Sequence, residues 1–312
     1  MRIATWNVNS LKARLEKVEW WLDRAQPDVL LIQETKLTDA EVPLMPFQAR
    51  GYEVVHHGEG RWNGVAILSR VGASDVITNF GDGAVRNSGA GADVSLAEED
   101  FNPLDEARMV SARCGGIRFT SIYAPNGRIV DSPFYVGKLA WYERLARWVS
   151  EFVPTDQPAV IGGDFNVAPT DDDVWAAARA HGGTHVSAPE RLAFARLIDH
   201  GLVDGYRRIR ADRGRYTWWD YRAGMFHKNY GMRIDHLLLT PPIAERVVWA
   251  EIDREARKGT PIPSDHAPLL VDLDEQGVPI DAGWEGAETR FRARQVADQR
   301  AEVRKSGRSA SS

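Results

Sequence analysis

Residues Arg108–Tyr123 read RMVSARCGGIRFTSIY, two apolar runs (Arg108–Ala112 and Ile117–Tyr123) held apart by Cys114-Gly115-Gly116. A glycine pair accepts the positive φ of a tight turn, so the two runs fold back on each other as antiparallel strands. Nine more short runs, each bounded by Gly, Pro, Asn or Asp, read as strands in the same way: Arg2–Val8, Asp28–Gln33, Tyr52–His57, Gly64–Ser69, Ala159–Gly162, Tyr216–Trp219, Ile234–Thr240, Arg246–Ile252 and Pro268–Leu273. Between them lie helical patterns. Leu11–Ala25 has Ser10 as its N-cap, and Pro133–Phe152 carries Tyr142, Leu145, Val149 and Phe152 on one stripe; Asp171–His181 and Pro189–Gly201 complete the set. Strands interspersed with helices, one pair of them antiparallel, predict a mixed, layered α/β domain.

The 312 residues are 27% charged and 43% hydrophobic, a globular composition that excludes disordered, fibrous and collagenous chains. Lys and Arg number 39 against 44 Asp and Glu, a net charge of −5, so attraction to a polyanion has to come from a local patch. No apolar run approaches the ~18 residues of a membrane span, and Met1–Ser10 alternates like a strand rather than a signal peptide. The single cysteine, Cys114, leaves no internal disulfide. These features predict a soluble, cytoplasmic, monomeric protein. Two segments stand out. Asn79–Glu106 is rich in glycine, with seven acids against one arginine, and reads as an acidic, mobile surface loop. Residues 275–312 read as an extended, partly disordered basic tail whose Arg290–Arg308 stretch holds seven bases against two acids; it either touches phosphates or forms a solvated helix. The reading is therefore of one domain, 1–274, with a tail.

Functional side chains collect at the ends of the predicted strands: Trp6-Asn7-Val8-Asn9, Gln33-Glu34-Thr35-Lys36, Gly163-Asp164-Phe165-Asn166, Arg233-Ile234-Asp235-His236 and Ser264-Asp265-His266. An Asp after one strand is ordinarily a turn or capping residue. Five such ends converging on one rim would concentrate negative charge that a cation or raised pKa values must offset. Oxygen and amide donors without paired cysteine or histidine favour Mg²⁺ or Mn²⁺ over zinc. His181 and His185 enclose Gly182-Gly183, a poor helical zinc pair. No nucleotide-binding glycine loop occurs. His266, placed among acids, is either a general acid or base or a cation facing a phosphate. Neighbours on a strand point oppositely, so its orienting carboxylate is expected to be Asp235 rather than Asp265. His56, His57, His200 and His227 lack such company and are given no role.

Arg207–Arg233 holds eight bases against two acids, interleaved with Tyr216, Trp218, Trp219, Tyr221, Phe226 and Tyr230. Bases for phosphates and aromatics for stacking make a nucleic-acid signature; the competing reading is core aromatics with a solvated arginine rim. Alternation lets only one of Trp218 and Trp219 face inward.

Taken in order, Trp6–Leu11, Gln33–Lys36, Tyr123-Ala124-Pro125-Asn126-Gly127, Gly163–Asn166, Tyr216–Arg222, Arg233–Asp235 and Ser264–Pro268 resemble the exonuclease III family of apurinic/apyrimidinic endonucleases, within the endonuclease/exonuclease/phosphatase superfamily. The likeness spans about residues 1–274. It implies a four-layer α/β sandwich, two packed mixed β-sheets flanked by helices. It also implies Mg²⁺-dependent hydrolysis of the phosphodiester 5′ to an abasic site in duplex DNA, with 3′-to-5′ exonuclease and 3′-phosphatase activity on blocked 3′ ends. By position, Glu34 would hold the metal with Asn7 beside it and Asp265 near. Asp164 would orient or deprotonate water, Asn166 and Tyr123 would hold the phosphate, and His266 with Asp235 would meet developing charge. Trp218 would pack on the abasic sugar with Met232 as its wall, while Lys36, Asn126, Arg128 and Arg222 would touch DNA. Two other readings compete: a phosphoesterase of the same fold acting on a non-nucleic-acid substrate, which would lack the Tyr216–Arg222 run, and an inactive DNA-binding module, which would lack the full catalytic set.

Overall fold

A computed structural model describes residues 1–81, 102–176, 182–293, 296–297 and 300. Twelve strands are found among them: β1 (Arg2–Asn7), β2 (Val29–Gln33), β3 (Glu53–His57), β4 (Val65–Ser69), β5 (Ser74–Thr78), β6 (Met109–Cys114), β7 (Ile117–Tyr123), β8 (Ala159–Asp164), β9 (Val203–Asp204), β10 (Asp235–Leu239), β11 (Val247–Ile252) and β12 (Leu269–Leu273). They form two six-stranded mixed sheets, β11-β12-β1-β2-β4-β3 and β5-β6-β7-β8-β10-β9. The Cys114-Gly115-Gly116-Ile117 hairpin closes as expected, with Cys114 paired to Ile117 and both glycines at positive φ (55° and 84°).

The inner faces of the sheets share one core. Ile3, Val29, Leu31, Val65 and Ile67 from the first sheet meet Val110, Phe119, Val160, Leu237 and Leu239 from the second. Helix α1 (Leu11–Ala25) covers the outer face of the first sheet through Leu11, Val18, Trp21 and Leu22, which pack on Ala4, Trp6, Leu30 and Ile32. Helices α2 (Pro133–Phe152) and α3 (Ala188–Asp199) cover the second through Trp141, Leu145, Trp148, Phe194 and Leu197. The result is the four-layer α/β sandwich that the resemblance implies. A Cβ on Gly162 would stand 2.6 Å from Leu31 and 2.5 Å from Leu237, so only glycine lets β8 approach the first sheet this closely.

Several expectations need correction. Tyr216–Trp219 is not a strand: Trp218 makes only isolated bridges, to Met232 and His266. Edge strands β5 and β9 carry no alternating apolar pattern and escaped the periodicity reading. In place of a helix over Asp171–His181 there is a 3-10 turn, Asp171–Asp173, because buried Asp173 turns inward to Arg233 and Arg207; residues 177–181 lie outside the described residues. Phe152 is half exposed at the end of its stripe, and Trp148 takes the inward position. Of the acidic Asn79–Glu106 stretch, residues 82–101 lie outside the described residues. The chain after Asp274 is not free of the domain: Ala282, Trp284, Ala287 and Phe291 enter the inter-sheet core, and Trp284 Nε1 donates to Ile252 O at 2.7 Å. The boundary drawn at 274 thus falls inside the packed unit, and residues 301–312 lie outside the described ones. No helix among the described residues is long and apolar enough to cross a membrane.

Because Trp284 is buried against Trp219 and Arg254, Trp284→Ala is expected to cost about 3–5 kcal/mol. Chemical denaturation measures this, and an unchanged midpoint would show that the segment contributes nothing to the core.

Candidate active site

The two sheets share a rim where the carboxyl ends of β1, β2, β7 and β8 meet the amino ends of β10 and β12. Asn7 stands opposite Gln33, so Glu34 emerges one residue beyond β2. Tyr123 stands opposite Asp164, and Asp235 faces Asp164 from the antiparallel side. β12 runs antiparallel to β1, so Ser264-Asp265-His266 enters from the same edge. Strand ends at such an edge carry side chains without covering them, which is why open α/β sheets place sites there.

Asn7 Nδ2 donates to Glu34 Oε1 and to Asp164 Oδ2, both at 2.9 Å, and thereby joins the sheets. Lys36 Nζ lies 2.9 Å from Glu34 Oε2 and donates to Asn9 Oδ1 at 2.7 Å. Asn9 Nδ2 donates to Asp265 Oδ1 at 3.0 Å. His266, next in the chain, returns to Asp164 with Nε2 at 3.8 Å and pairs through Nδ1 with Asp235 Oδ2 at 2.8 Å. The contacts therefore close a ring: Asp164, Asn7, Glu34, Lys36, Asn9, Asp265, His266. Asp235 is the Nδ1 partner of His266; Asp265 turns instead to Asn9 and to Trp218 Nε1, at 3.1 Å.

Around the ring, the Tyr123 hydroxyl faces Glu34 and its ring carries Arg108 at 4.9 Å. Asn166 donates from its backbone to Asp164 Oδ1 at 2.9 Å, from Nδ2 to Ala124 O at 2.9 Å, and accepts from Asn126 Nδ2 at 3.3 Å. Trp218 and Met232 are half-buried on a wall of Ala168, Val174, Val186 and Ile234, whereas Trp219 is the inward tryptophan. Arg128 is exposed over Phe134, and Arg222 turns its exposed guanidinium back onto Asp220. Asn9, Ser10, Glu34, Lys36, Arg128 and Asn166 all hold positive φ. Each such non-glycine residue costs about 1–2 kcal/mol, strain that the surrounding contacts must offset.

Four carboxylates here share one lysine and one imidazole. Burial, with Asp235 adding to it and His266 opposing, pushes the Asp164 carboxyl up to about 7. Burial alone would lower His266, but Asp235 and Asp164 outweigh it and raise the imidazole to about 10. Burial and Glu34 push the Tyr123 hydroxyl well above its ordinary range, so it remains a donor. Asp235 Oδ1 is buried without a hydrogen-bond partner, and ligand atoms of Asp164, Asp235 and His266 lie within 4.8 Å of one another. Surplus negative charge on hard oxygen donors fits a divalent cation. Within the expected trio, Asn7 presents its NH₂ to the carboxylates while its oxygen accepts from Asn9 N, and Asp265 is separated from Glu34 by Lys36 and Asn9.

The basic stretch Arg207–Arg233 does not form a free positive patch. Arg207 and Arg233 pair with Asp173, Arg233 also with Asp204, Arg210 and Arg215 with Glu251, Arg213 with Asp172, and Arg215 with Glu288. A window count misses this because these acids come from distant parts of the chain.

The Endonuclease/Exonuclease/phosphatase family model matches residues 4–266. The chain belongs to this family. Within it, the exodeoxyribonuclease III of Haemophilus influenzae is 29% identical over 282 residues, which cover 88% of this chain and 100% of that protein. Among solved structures, an AP endonuclease from Archaeoglobus fulgidus superposes with TM-score 0.78 at 36% identity, covering 88% of this chain and 100% of the other. A Neisseria 3′ phosphatase, NExo, solved with a product DNA hairpin, superposes with TM-score 0.77 at 36% identity and the same coverage. The protein is accordingly a hydrolase of the exodeoxyribonuclease III and AP endonuclease type.

Two site residues were missed in the sequence. Asn9 closes the ring; its position in the quoted Trp6-Asn7-Val8-Asn9 end was the available signal. His185 hydrogen-bonds Asn166 O at 2.7 Å and sits 6.4 Å from the Trp218 ring, a place that no local pattern marks.

In metal-free protein the His266 imidazole is expected to remain charged through pH 8 and to titrate only near pH 10, with Asp235→Asn bringing the midpoint down. Its folded pKa lies above the unfolded 6.5, so the pair's stabilisation is complete below pH 6.5 and is lost as pH rises through about 10. Imidazole NMR titration measures the midpoint; a value near 6.5 would show that the acids do not act on His266.

Proposed function

We propose that this family member is a DNA repair nuclease that hydrolyses the phosphodiester 5′ to abasic sites in duplex DNA and clears blocked 3′ ends, with Mg²⁺ as its ion and Mn²⁺ able to replace it. The observation that carries the reading is the closed rim ring, in which an acid-paired imidazole stands 3.8 Å from a buried carboxylate. The names of its relatives, an exodeoxyribonuclease III, an AP endonuclease and a DNA-bound 3′ phosphatase, support the same substrate class.

Phosphodiesters resist attack because their anionic oxygens repel nucleophiles, and a divalent ion held by Glu34, with Asp164 near it, would supply the neutralising charge. The chain's own groups account for the rest. Asp164 is held by Asn7 and by the backbone N–H of Asn166, which places its carboxylate to take a proton from water. His266, charged and oriented by Asp235, presents Nε2 to a phosphate oxygen as charge develops. Tyr123 and Asn166 add neutral donors, and their anchoring to Arg108 and Ala124 limits reorganisation. Trp218, held by Asp265, and Met232 make an apolar wall for a sugar that lacks a base; an abasic nucleotide leaves the stack cheaply, so selection needs little more than that wall. With Arg207, Arg210, Arg213, Arg215 and Arg233 paired to acids, DNA contact falls to Lys36, Asn126, Arg128 and the exposed Arg222, which must exchange Asp220 for a phosphate.

An abasic duplex should be nicked with Mg²⁺ and left intact with EDTA. Glu34→Ala should impair nicking severely, and His266→Asn should slow it by about 10²–10³. Parallel assays on abasic, intact and 3′-phosphate duplexes decide substrate preference; equal cleavage of intact and abasic strands would refute abasic selectivity. Trp218→Ala should weaken abasic-DNA binding by ~1–3 kcal/mol, read by fluorescence anisotropy, and unchanged affinity would remove Trp218 from the site.

A further inference from the structure

Glu34-Thr35-Lys36 leaves β2 through an unfavourable turn, with Glu34 at φ 52° and Lys36 at φ 54°. Main-chain bonds hold the residue between them, from Thr35 N to Gly64 O at 3.1 Å and from Leu11 N to Thr35 O at 3.0 Å. A second hold comes from side chains. Thr35 Oγ1 lies 2.8 Å from His56 Nε2, and His56 Nδ1 lies 2.7 Å from Asp39 Oδ1, which also accepts from Gly58 N at 2.9 Å.

The acceptor-only carboxylate of Asp39 sets the tautomer: Nδ1 carries the hydrogen, Nε2 offers its lone pair, and the Thr35 hydroxyl donates to it. Burial, its largest influence, lowers the His56 pKa and favours the neutral ring this arrangement uses. The packing is specific to the hold. A Cβ on Gly64 would stand 2.1 Å from Thr35 Oγ1, and one on Gly58 would stand 2.4 Å from His56 Cε1, so two glycines clear the space that the threonine and imidazole occupy. The trio has the composition of a nucleophilic triad, but Thr35 is fully buried and no substrate reaches its hydroxyl. What it can do is fix the residue between Glu34 and Lys36.

We propose that His56 and Asp39 are positioning residues for the metal site: the Asp39–His56–Thr35 chain locks the strained turn that aims Glu34 at the cation and Lys36 at Glu34 and Asn9. The inference rests on Glu34 being a metal ligand, as read above. A ligand whose supporting hydrogen bonds are lost typically loses about 10–100-fold in metal affinity.

Calorimetric titration of the full-length metal-free protein with Mn²⁺ tests it. His56→Leu and the near-isosteric Thr35→Val should each weaken Mn²⁺ binding by about 10–100-fold, the double variant should lose no more than either alone, and His56→Gln, whose amide oxygen can accept from Thr35, should recover most of the loss. Glu34→Gln is the control. If it binds Mn²⁺ like wild type, the metal reading falls and this inference with it. If Glu34→Gln weakens binding while His56→Leu and Thr35→Val do not, or if the double loss is additive, the positioning role alone is overturned. Thr35→Val keeps the test decisive should His56→Leu fold poorly.

Discussion

Both amide protons of Asn7 are committed to carboxylates of different sheets, Glu34 beyond β2 in the first and Asp164 on β8 in the second. Everything at the rim depends on that cross-brace. It requires the sheets to stack with a specific offset, which the close approach at Gly162 and the buried Gln33–Ser121 hydrogen bond beneath it enforce. Two carboxylates brought near a shared amide in a buried place repel each other, and the energy of the sandwich core holds them there.

The molecule treats charge in two ways. Away from the rim, several buried cations are matched by acids: Arg2 by Asp272, Arg233 by Asp173 and Asp204, and Lys138 by Glu190, in a fully buried pair whose lysine also holds the carbonyls of Asn126 and Asn166. At the rim the acids exceed the bases, one carboxyl is raised towards neutrality, and an oxygen of Asp235 is left without a partner. Such imbalance is costly in a resting protein and useful in one that binds a cation and an anionic phosphate together. Positive φ at Asn9, Glu34, Lys36 and Asn166 follows the same logic, since strained backbone brings these side chains together at a place where regular strands have ended.

Much of the fold could be read directly. α1 and α2 begin and end where capping and periodicity place them, and the Gly115-Gly116 hairpin closes as its turn chemistry requires. The failures are physical. β5 lies at a sheet edge with mostly exposed residues and so has no reason to alternate, and Asp171–Asp173 gives up helix because Asp173 is drawn to the buried Arg233 and to Arg207, both far along the chain. The same long-range pairing dissolves the basic patch that a local count proposes. In the tail, charge obscured Trp284 and Phe291, whose burial depends on a space between β11 and Trp219 that no local pattern describes.

By itself the sequence determined the chemical types at the strand ends, the family and the layered architecture, because these follow from short-range periodicity and from motifs whose residues are adjacent; strand alternation also excluded Asp265 as the partner of His266, whereas the contact with Asp235 across 31 residues is a tertiary one. Only the tertiary structure decided that Asn7 meets the carboxylates as a donor, that Asn9 closes the ring, that His185 stands beside Trp218, and that most of the arginines in Arg207–Arg233 are neutralised. Those facts depend on which distant groups share a small volume, and hydrogen bonds and Coulomb energies fall off over a few ångströms of space without regard to separation along the chain.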